Sequence, residues 1–383
     1  MLRYLTSGES HGKALGAILE GMVANLTLSS EDINKELARR QMGYGRGERM
    51  KIEKDEVEIL SGVRLGKTLG SPIALLIKNK DWENWEDVMS VESAKQKVEA
   101  VTNLRPGHAD LAGCLKYNQK DVRNILERAS ARETAVRVAV GAIAKRFLSE
   151  FSIVVGSHVV QIGEARSEIG DRGLEILKKS EKSDVRCADD KASKQMMAEI
   201  DKAGKDGDSL GGIFEVVVLG CPPGLGSHVH WDRKLKTRLA AALMSIQAVK
   251  GTEIGLGFES ASLPGSKVHD EIFYEKGKFV HKTNNAGGIE GGITNGEPII
   301  LRAAVKPIST LKKPLKSVDL STKKQVQAHV ERADVCAVPA AGVVGEAVIA
   351  LEIANAVLEK FGGDSLEEIK LNFKNYLDLI AKI

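Results

Sequence analysis

Aromatic residues are scarce in this 383-residue sequence: Phe, Trp and Tyr make up 4% of it. That argues against a surface built to stack nucleobases. Charge of one sign is also lacking. A formal net charge of +3 and a pI near 8.5 are too mild to point to nucleic acid. Cysteine is sparse, and Cys114, Cys187, Cys221 and Cys336 lie far apart with no C-x-x-C. Neither a disulfide framework nor a zinc site is expected, and free thiols fit a reducing compartment. No run approaches the roughly 18 apolar residues of a membrane span. The start, MLRYLTSGESHG, has no signal-peptide apolar region. A cytoplasmic protein with no membrane and no nucleic-acid partner is expected. No Pro/Ser-rich linker divides the chain, so the expectation is one domain over 1–383.

Familiar nucleotide and hydrolase signatures are missing too. No G-x-G-x-x-G follows a strand. Gly66-Lys67-Thr68 looks like the end of a P-loop, but Ser61 stands where its first glycine should be. There is no G-x-S-x-G elbow.

What is present is concentrated in 105–135. RPGHAD at 105–110 and ERASARETA at 127–135 bring Arg105, Arg123, Arg128 and Arg132 together with His108 and Asp110. The second motif reads as the opening of a long helix. Ser130 and Glu133 fit a capping box, and Ala135, Val138, Ala139, Ala142, Ile143 and Phe147 recur at the spacing of one buried face. Arginines are electrostatically disfavoured at a helix N-terminus, so an anion seated there is the simplest account. An ordinary capped helix with solvated arginines also fits.

Elsewhere, strands are expected at Ala14–Leu19, Met22–Leu28, Val57–Val63, Pro72–Ile77, Ile153–Ile162, Ile213–Leu219 and Ile299–Val305. Helices are expected after Ser29, at Ser93–Val101, Lys191–Ala203, Asp232–Val249 and Val343–Phe361, and after the capping box of Ser365 and Glu368. Asp232 reads as an N-cap and Gly251 as a helix stop. Asp81–Ser90, with Trp82 and Trp85, reads as an acidic connector. Long glycine-rich loops interrupt the alternation, which argues against an orderly doubly wound sheet.

Other motifs carry chemistry less specifically. Ser7-Gly8-Glu9-Ser10-His11-Gly12 sets a histidine among small residues, which suits proton transfer and equally suits a turn histidine. Arg40, Arg46 and Arg49 sit in the glycine-rich GYGRG loop region, with planar donors for carboxylate or phosphate; a solvated basic loop also fits. Lys306, Ser309 and Thr310 form a second anion-friendly group, or a solvated charge run. Arg332 and Asp334 read as an ion pair or a site pair. His228-x-His230 with Asp232 could edge a metal, but no further cluster supports one, and no metal is expected. Many arginines and two histidines in loops suggest a polyanionic small molecule and proton transfers, without naming the reaction.

In order along the chain, GESHG, RPGHAD, RASARETA, GGIEGGITNGEPI, KPISTL and ERADVCAVPAA resemble the chorismate synthase family over nearly the whole length. The resemblance implies an α+β fold, a β-α-β sandwich with helices packed between antiparallel sheets, and a homotetramer. It implies a lyase of aromatic amino-acid biosynthesis that turns 5-enolpyruvylshikimate 3-phosphate into chorismate and phosphate by 1,4-anti elimination, with reduced FMN required but not consumed. By motif, His11 is the candidate acid for the leaving phosphate, His108 serves the reduced flavin, and Asp334 cooperates in removing a ring proton. Flavin contacts carried over are Arg128, Ala129, Ser130, Gln247, Ala248, Gly291, Lys306, Pro307, Ile308, Ser309, Thr310 and Arg332. Arg40 and Arg46 match positions read as NADP-binding in the family, or hold substrate carboxylate or phosphate; Arg49 and Arg132 are further substrate candidates. Ala129 stands where many members have serine, and Gln247 where Asn or Pro is commoner. An NADPH-linked flavin reductase, alone or as a second activity with NADPH as reductant, is the alternative. A non-catalytic binding protein on the same fold is a third reading.

Overall fold

The computed structural model describes residues 1–47, 54–92, 98–168, 170, 172–331 and 334–383. Two antiparallel sheets face each other across a layer of helices. The first contains β1 (Arg3–Ser7), β2 (Ala14–Glu20), β3 (Val57–Ile59) and β4 (Ile73–Lys78), in the order β1-β2-β4-β3. The second contains β5 (Val154–Ile162), β6 (Ala165–Arg166), β7 (Gly212–Leu219), β8 (Val249–Ile254) and β9 (Ile299–Val305), in the order β8-β9-β7-β5-β6. Period-two alternation decides which face of each sheet is covered. Leu15, Ala17 and Leu19 of β2 and Ile73, Leu75 and Ile77 of β4 are buried, whereas Ile18 points outward.

The helices between the sheets are α1 (Ser30–Gln41), α2 (Thr134–Ser149), α3 (Leu235–Met244) and α4 (Val338–Phe361). Helix α2 packs on β2 and β4, α4 packs on β5 and β7, and α2 and α4 pack on each other. The predicted apolar face of α2 is buried at every position. Contact between α2 and α4 is close because Gly141 has no side chain: a Cβ there would lie 2.4 Å from the Ala347 Cβ. Helix α4 is long and apolar enough to cross a membrane by composition, but 83% of its most apolar window is buried inside the chain. It is the core helix of the layer.

A charged cluster sits in that layer. Glu346 of α4 is fully buried and accepts from Arg39 (2.7 Å), Lys145 (2.7 Å), Arg186 (3.0 Å) and Ser157 (2.6 Å). Burial would raise its pKa, but the cations hold it well below the carboxylate range. Arg39 thereby anchors α1, and its neighbour Arg40 emerges on another side of the same helix, toward the site.

Several boundaries differ from the sequence reading. β1 was missed because RYLTS is exposed at every second residue. Val57–Val63 breaks at Ser61-Gly62 into two short strands. The helix expected at Asp232–Val249 spans only Leu235–Met244. Asp232 lies in a short 3-10 turn paired with His230, so it is not the N-cap, and Gly251 lies within β8, so it is not a stop. Of the helix expected at Ser93–Val101, 93–97 lie outside the described residues and 98–101 are not helical. The capping boxes of Ser29 and Ser365 form, the second opening α5 (Leu366–Ile380).

Candidate active site

His11 sits in the loop joining β1 to β2. Gly8 makes this loop possible: its φ is +97°, and a Cβ there would lie 2.3 Å from the Ala14 carbonyl oxygen. The loop docks onto a short helix, Arg123–Ala129. Ser10 N–H donates to the Glu127 carbonyl at 3.1 Å, and His11 N–H donates to Glu127 Oε2 at 2.8 Å. The His11 ring brings Nδ1 within 3.0 Å of both Glu127 oxygens. Arg123 donates to Glu127 Oε1 at 3.0 Å. Burial alone would raise the Glu127 pKa, but the His11 hydrogen bonds and the Arg123 charge bring it below the usual value. Trp85 stacks on the His11 ring with centroids 4.0 Å apart, and the Arg123 guanidinium lies 4.9 Å from the Trp85 ring centroid.

Asn79, at the end of β4, links this loop to a cluster of arginines. Its amide donates to the Glu9 (3.2 Å) and Gly12 (2.6 Å) carbonyls, and its oxygen accepts from Arg132 Nε at 3.0 Å. Arg132 Nη1 lies 2.7 Å from Asp55 Oδ1, and Arg40 Nη1 lies 3.2 Å from Asp55 Oδ2. Arg40 also donates to Thr134 Oγ1 (3.0 Å) and the Ala131 carbonyl (3.2 Å). Arg46 pairs with Asp334 at 2.9 Å, and Gly47 N–H donates to the same carboxylate at 2.6 Å. Burial pushes the Arg40 pKa down to about 10, with Asp55 opposing and Arg132 and Arg46 reinforcing the fall. Among the described residues, these three guanidiniums thus gather around the carboxylates of Asp55 and Asp334.

The RPGHAD loop forms a second histidine group. Asp110 is buried and accepts from Arg105 N–H (3.0 Å), Arg105 Nε (2.9 Å) and Arg105 Nη2 (3.1 Å). His108 Nδ1 lies 2.5 Å from Asp110 Oδ1. Burial would raise the Asp110 pKa, but His108 and Arg105 hold it at about 2. The ionised carboxylate can only accept, so His108 Nδ1 carries the proton and the neighbouring Arg105 Nη2 is a contact rather than a donor to it. Glu331 connects the two histidine groups. It lies 3.4 Å from Arg105, and both Arg105 and Arg123 act on its charge.

Several of the residues expected at the flavin have contacts with this loop or with one another. Lys306 donates from Nζ to the Gly107 carbonyl (2.5 Å) and from its backbone N–H to the Ala248 carbonyl (2.9 Å). Ser209 holds the Ile308 carbonyl at 2.7 Å, and Arg105 Nη1 reaches Thr310 Oγ1 at 3.4 Å. Gln247 Nε2 donates to Glu133 Oε1 at 2.8 Å, while its own Oε1 is buried with no hydrogen-bond partner among the described residues. Ser130 Oγ lies 3.3 Å from Ser10 Oγ. Gly291 lies in a hairpin. It forms the tip between two-residue strands at 289–290 and 293–294, and a Cβ on it would meet only His228. No hydrogen bond or ion pair joins that hairpin to the other flavin candidates among the described residues. Arg49 and Arg332 lie outside the described residues.

The anion inferred at the helix end needs revision. Ser130 caps a 3-10 turn, Ala131–Glu133, by accepting from Arg132 N–H, and α2 begins after it. Glu133 pairs with Arg137 and Gln247 and does not close a capping box. Arg128 donates to the Thr6 and Gly8 carbonyls at 2.9 Å each and so ties this turn to β1. Internal carboxylates and carbonyls therefore meet much of the demand of these arginines.

Sequence reasoning missed Asp55, Asn79, Glu127, Lys250 and Glu331, and assigned Trp85 no role. Asp55 lies in KIEKDEVEI, a charged stretch that carries no motif. Glu127 lies 116 positions from His11, so only the fold pairs them. Lys250 emerges through its neighbour. Burial, with the nearby Lys250 charge, lowers the Lys306 pKa, and no carboxylate pairs with either lysine among the described residues.

The chorismate synthase family model matches residues 2–358. The chain is 59% identical over 391 residues to chorismate synthase of Geobacter sulfurreducens, covering 99% of each. It is 58% identical over 388 residues to that of Aquifex aeolicus, covering 98% of each. Among solved structures, a crystal structure of chorismate synthase matches with a TM-score of 0.81 and 48% identity, over 100% of this chain and 99% of that one.

Proposed function

The chain belongs to the chorismate synthase family of lyases, and from that premise we propose that it eliminates phosphate from 5-enolpyruvylshikimate 3-phosphate to give chorismate, with reduced FMN required and not consumed. The observation that carries the proposal is the buried cluster of Arg40, Arg46 and Arg132 around Asp55 and Asp334, beside two histidines each held by a buried carboxylate. The substrate brings one phosphate and two carboxylates. Buried anions need paired, hydrogen-bonded cations, and this arginine cluster supplies the guanidiniums.

In this reading the guanidiniums bind and orient the substrate. His11 protonates the departing phosphate. Asp334, oriented by Arg46 and the Gly47 N–H, takes part in removing the ring proton. His108 stabilises the anionic form of the reduced flavin.

The residues present suit FMN. Lys250 and Lys306 offer charge to its phosphate, Gln247 Oε1, buried with no hydrogen-bond partner among the described residues, offers an acceptor to a ring N–H, and Ser130 and Ser309 offer hydroxyls. When bound, reduced FMN supplies the electron density that helps phosphate leave with no net redox change.

The same reading carries a cytoplasmic homotetramer. Support for an assembly comes from the outer face of the first sheet, where Leu5 (74% exposed) and Ile18 (50% exposed) are register partners and leave apolar surface uncovered.

The test mixes purified protein, substrate and chemically reduced FMN under anaerobic conditions, with and without NADPH. Chorismate and phosphate in equal amounts are expected from reduced FMN alone. Absence of both products overturns the proposal.

A further inference from the structure

We propose that Glu127, held by Arg123, is the positioning residue that fixes the His11 imidazole as its Nδ1–H tautomer and leaves Nε2 as the only ring nitrogen that exchanges a proton. The inference rests on the assignment of His11 as the acid for the departing phosphate, and it deepens that assignment.

Three constraints converge on one ring. The stack with Trp85, 4.0 Å between centroids and 27° between planes, fixes the plane of the imidazole. Glu127 fixes its edge, with Nδ1 3.0 Å from each oxygen. Oε2 also accepts from the His11 backbone N–H at 2.8 Å, so main chain and side chain of the same residue grip one carboxylate. The carboxylate is fixed in turn by Arg123, one helical turn earlier, at 3.0 Å. Arg123 also lies over Trp85, and Trp85 is pinned by its Nε1–H to Asp81 at 3.1 Å. The acidic connector 81–90 therefore closes the ring of contacts.

The tautomer follows from charge. Glu127 stays ionised because its hydrogen bonds and Arg123 outweigh burial, and an ionised carboxylate only accepts. Nδ1 must then carry hydrogen whether the ring is neutral or cationic. A glutamine at 127 keeps the shape but can turn its amide N–H toward Nδ1, which permits the opposite tautomer, and it leaves Arg123 without its counter-charge.

The experiment compares the full-length wild type with Glu127→Gln, Glu127→Asp, His11→Ala and the double variant His11→Ala/Glu127→Gln. Steady-state kinetics with reduced FMN is one readout. Nitrogen-15 NMR of labelled histidines, with His11 assigned by its loss in His11→Ala, is the other. Glu127→Gln should lower kcat at least about 100-fold with KM for substrate near wild type. Glu127→Asp should recover about tenfold of that loss by restoring the charge, and Glu127→Gln should cost nothing further in the His11→Ala background. The wild-type His11 signal should report Nδ1–H, and the variant should lose that preference. Wild-type kcat in Glu127→Gln overturns the proposal, as do additive losses in the double variant. A full-rate His11→Ala enzyme removes His11 from the chemistry instead. The NMR signal then decides the tautomer alone: retention of Nδ1–H in Glu127→Gln overturns the proposal, and its loss supports it.

Discussion

Arg40 and Arg132 hold one buried carboxylate between them, each on a different oxygen of Asp55. Removing that charge while keeping the shape, Asp55→Asn, leaves two buried guanidiniums facing each other with Arg46 nearby. Breaking a buried pair in this way costs about 3–5 kcal/mol, so the urea midpoint at pH 7 should fall accordingly. Inorganic phosphate should raise the midpoint of the variant more than that of the wild type, because the variant has lost one negative charge beside Arg40 and Arg132. Equal phosphate stabilisation of both would show that Asp55 is not the counter-ion setting the charge of this cluster.

Asp110 makes stability depend on acid. Its pKa is held at about 2 by His108 and Arg105, against 3.8 ordinarily. A group with a depressed folded pKa stabilises the fold above its unfolded pKa and loses that contribution as pH falls through its folded value. The window here runs from 3.8 down to about 2. Glu181, held at about 2 by Arg39 and Arg186 against burial, titrates over a similar range and remains in any Asp110 variant. Asp110→Asn should therefore be less stable than wild type at pH 7 and lose less between pH 4 and pH 2. Urea midpoints measured across that range check both slopes.

The fold was legible where burial sets a period. β9 was read to the residue at Ile299–Val305, and the six apolar positions read on one face of α2 are all buried, although Val136, Val140, Ala144 and Leu148 outside that face are buried as well. Helix ends governed by side chains, Ser29 and Ser365, were also legible. Reading failed where tertiary contacts cut an apolar pattern short, as when Val249 leaves the helix pattern to pair with Val305 in the second sheet. At the site, the histidines and arginines stood out because their loops are glycine-bearing and their charge is unusual. Their carboxylate partners did not. Asp55 and Glu127 look like surface acids until folding brings them beside Arg132 and His11, 77 and 116 positions away by hydrogen-bond and ion-pair partners. Arg39 and Arg40 are adjacent in sequence, yet one enters the Glu346 network of the core and the other the site, a division set by the turn of α1.

Helix packing makes a stability prediction independent of chemistry. At Gly141 of α2 a Cβ would meet Ala347 Cβ at 2.4 Å and Ala347 Cα at 2.5 Å, and neither can swing aside. Gly141→Ala should gain about 1 kcal/mol in helix propensity yet be destabilised overall, because forcing α2 from α4 costs about 1–3 kcal/mol or more. Pairing it with Ala347→Gly should recover only part of the loss, because the Cα and carbonyl oxygen of residue 347 remain in contact. Thermal denaturation of the single and double variants checks this coupling, and additive losses would locate the strain elsewhere.

Lys306 and Lys250 give the final prediction, on the pH dependence of flavin binding. The Lys306 pKa is lowered first by burial and then by the Lys250 charge. If these lysines receive the FMN phosphate, Lys306→Met should weaken oxidised FMN binding at least about tenfold, the loss of one charge-assisted hydrogen bond. Lys250→Met should weaken it less, since Lys306 retains its own contact with Gly107. The two variants should also differ at alkaline pH. Wild-type affinity falls as pH rises through the Lys306 pKa, because only the ammonium attracts the phosphate. Removing Lys250 relieves a repulsion that favours neutral Lys306, so in Lys250→Met the alkaline fall should move to higher pH. Lys306→Met should lose the part of that fall contributed by its ammonium. Flavin fluorescence titrations from pH 7 to 11 without substrate read all three curves. An alkaline fall unmoved by Lys250→Met would separate the lysine pair from the phosphate.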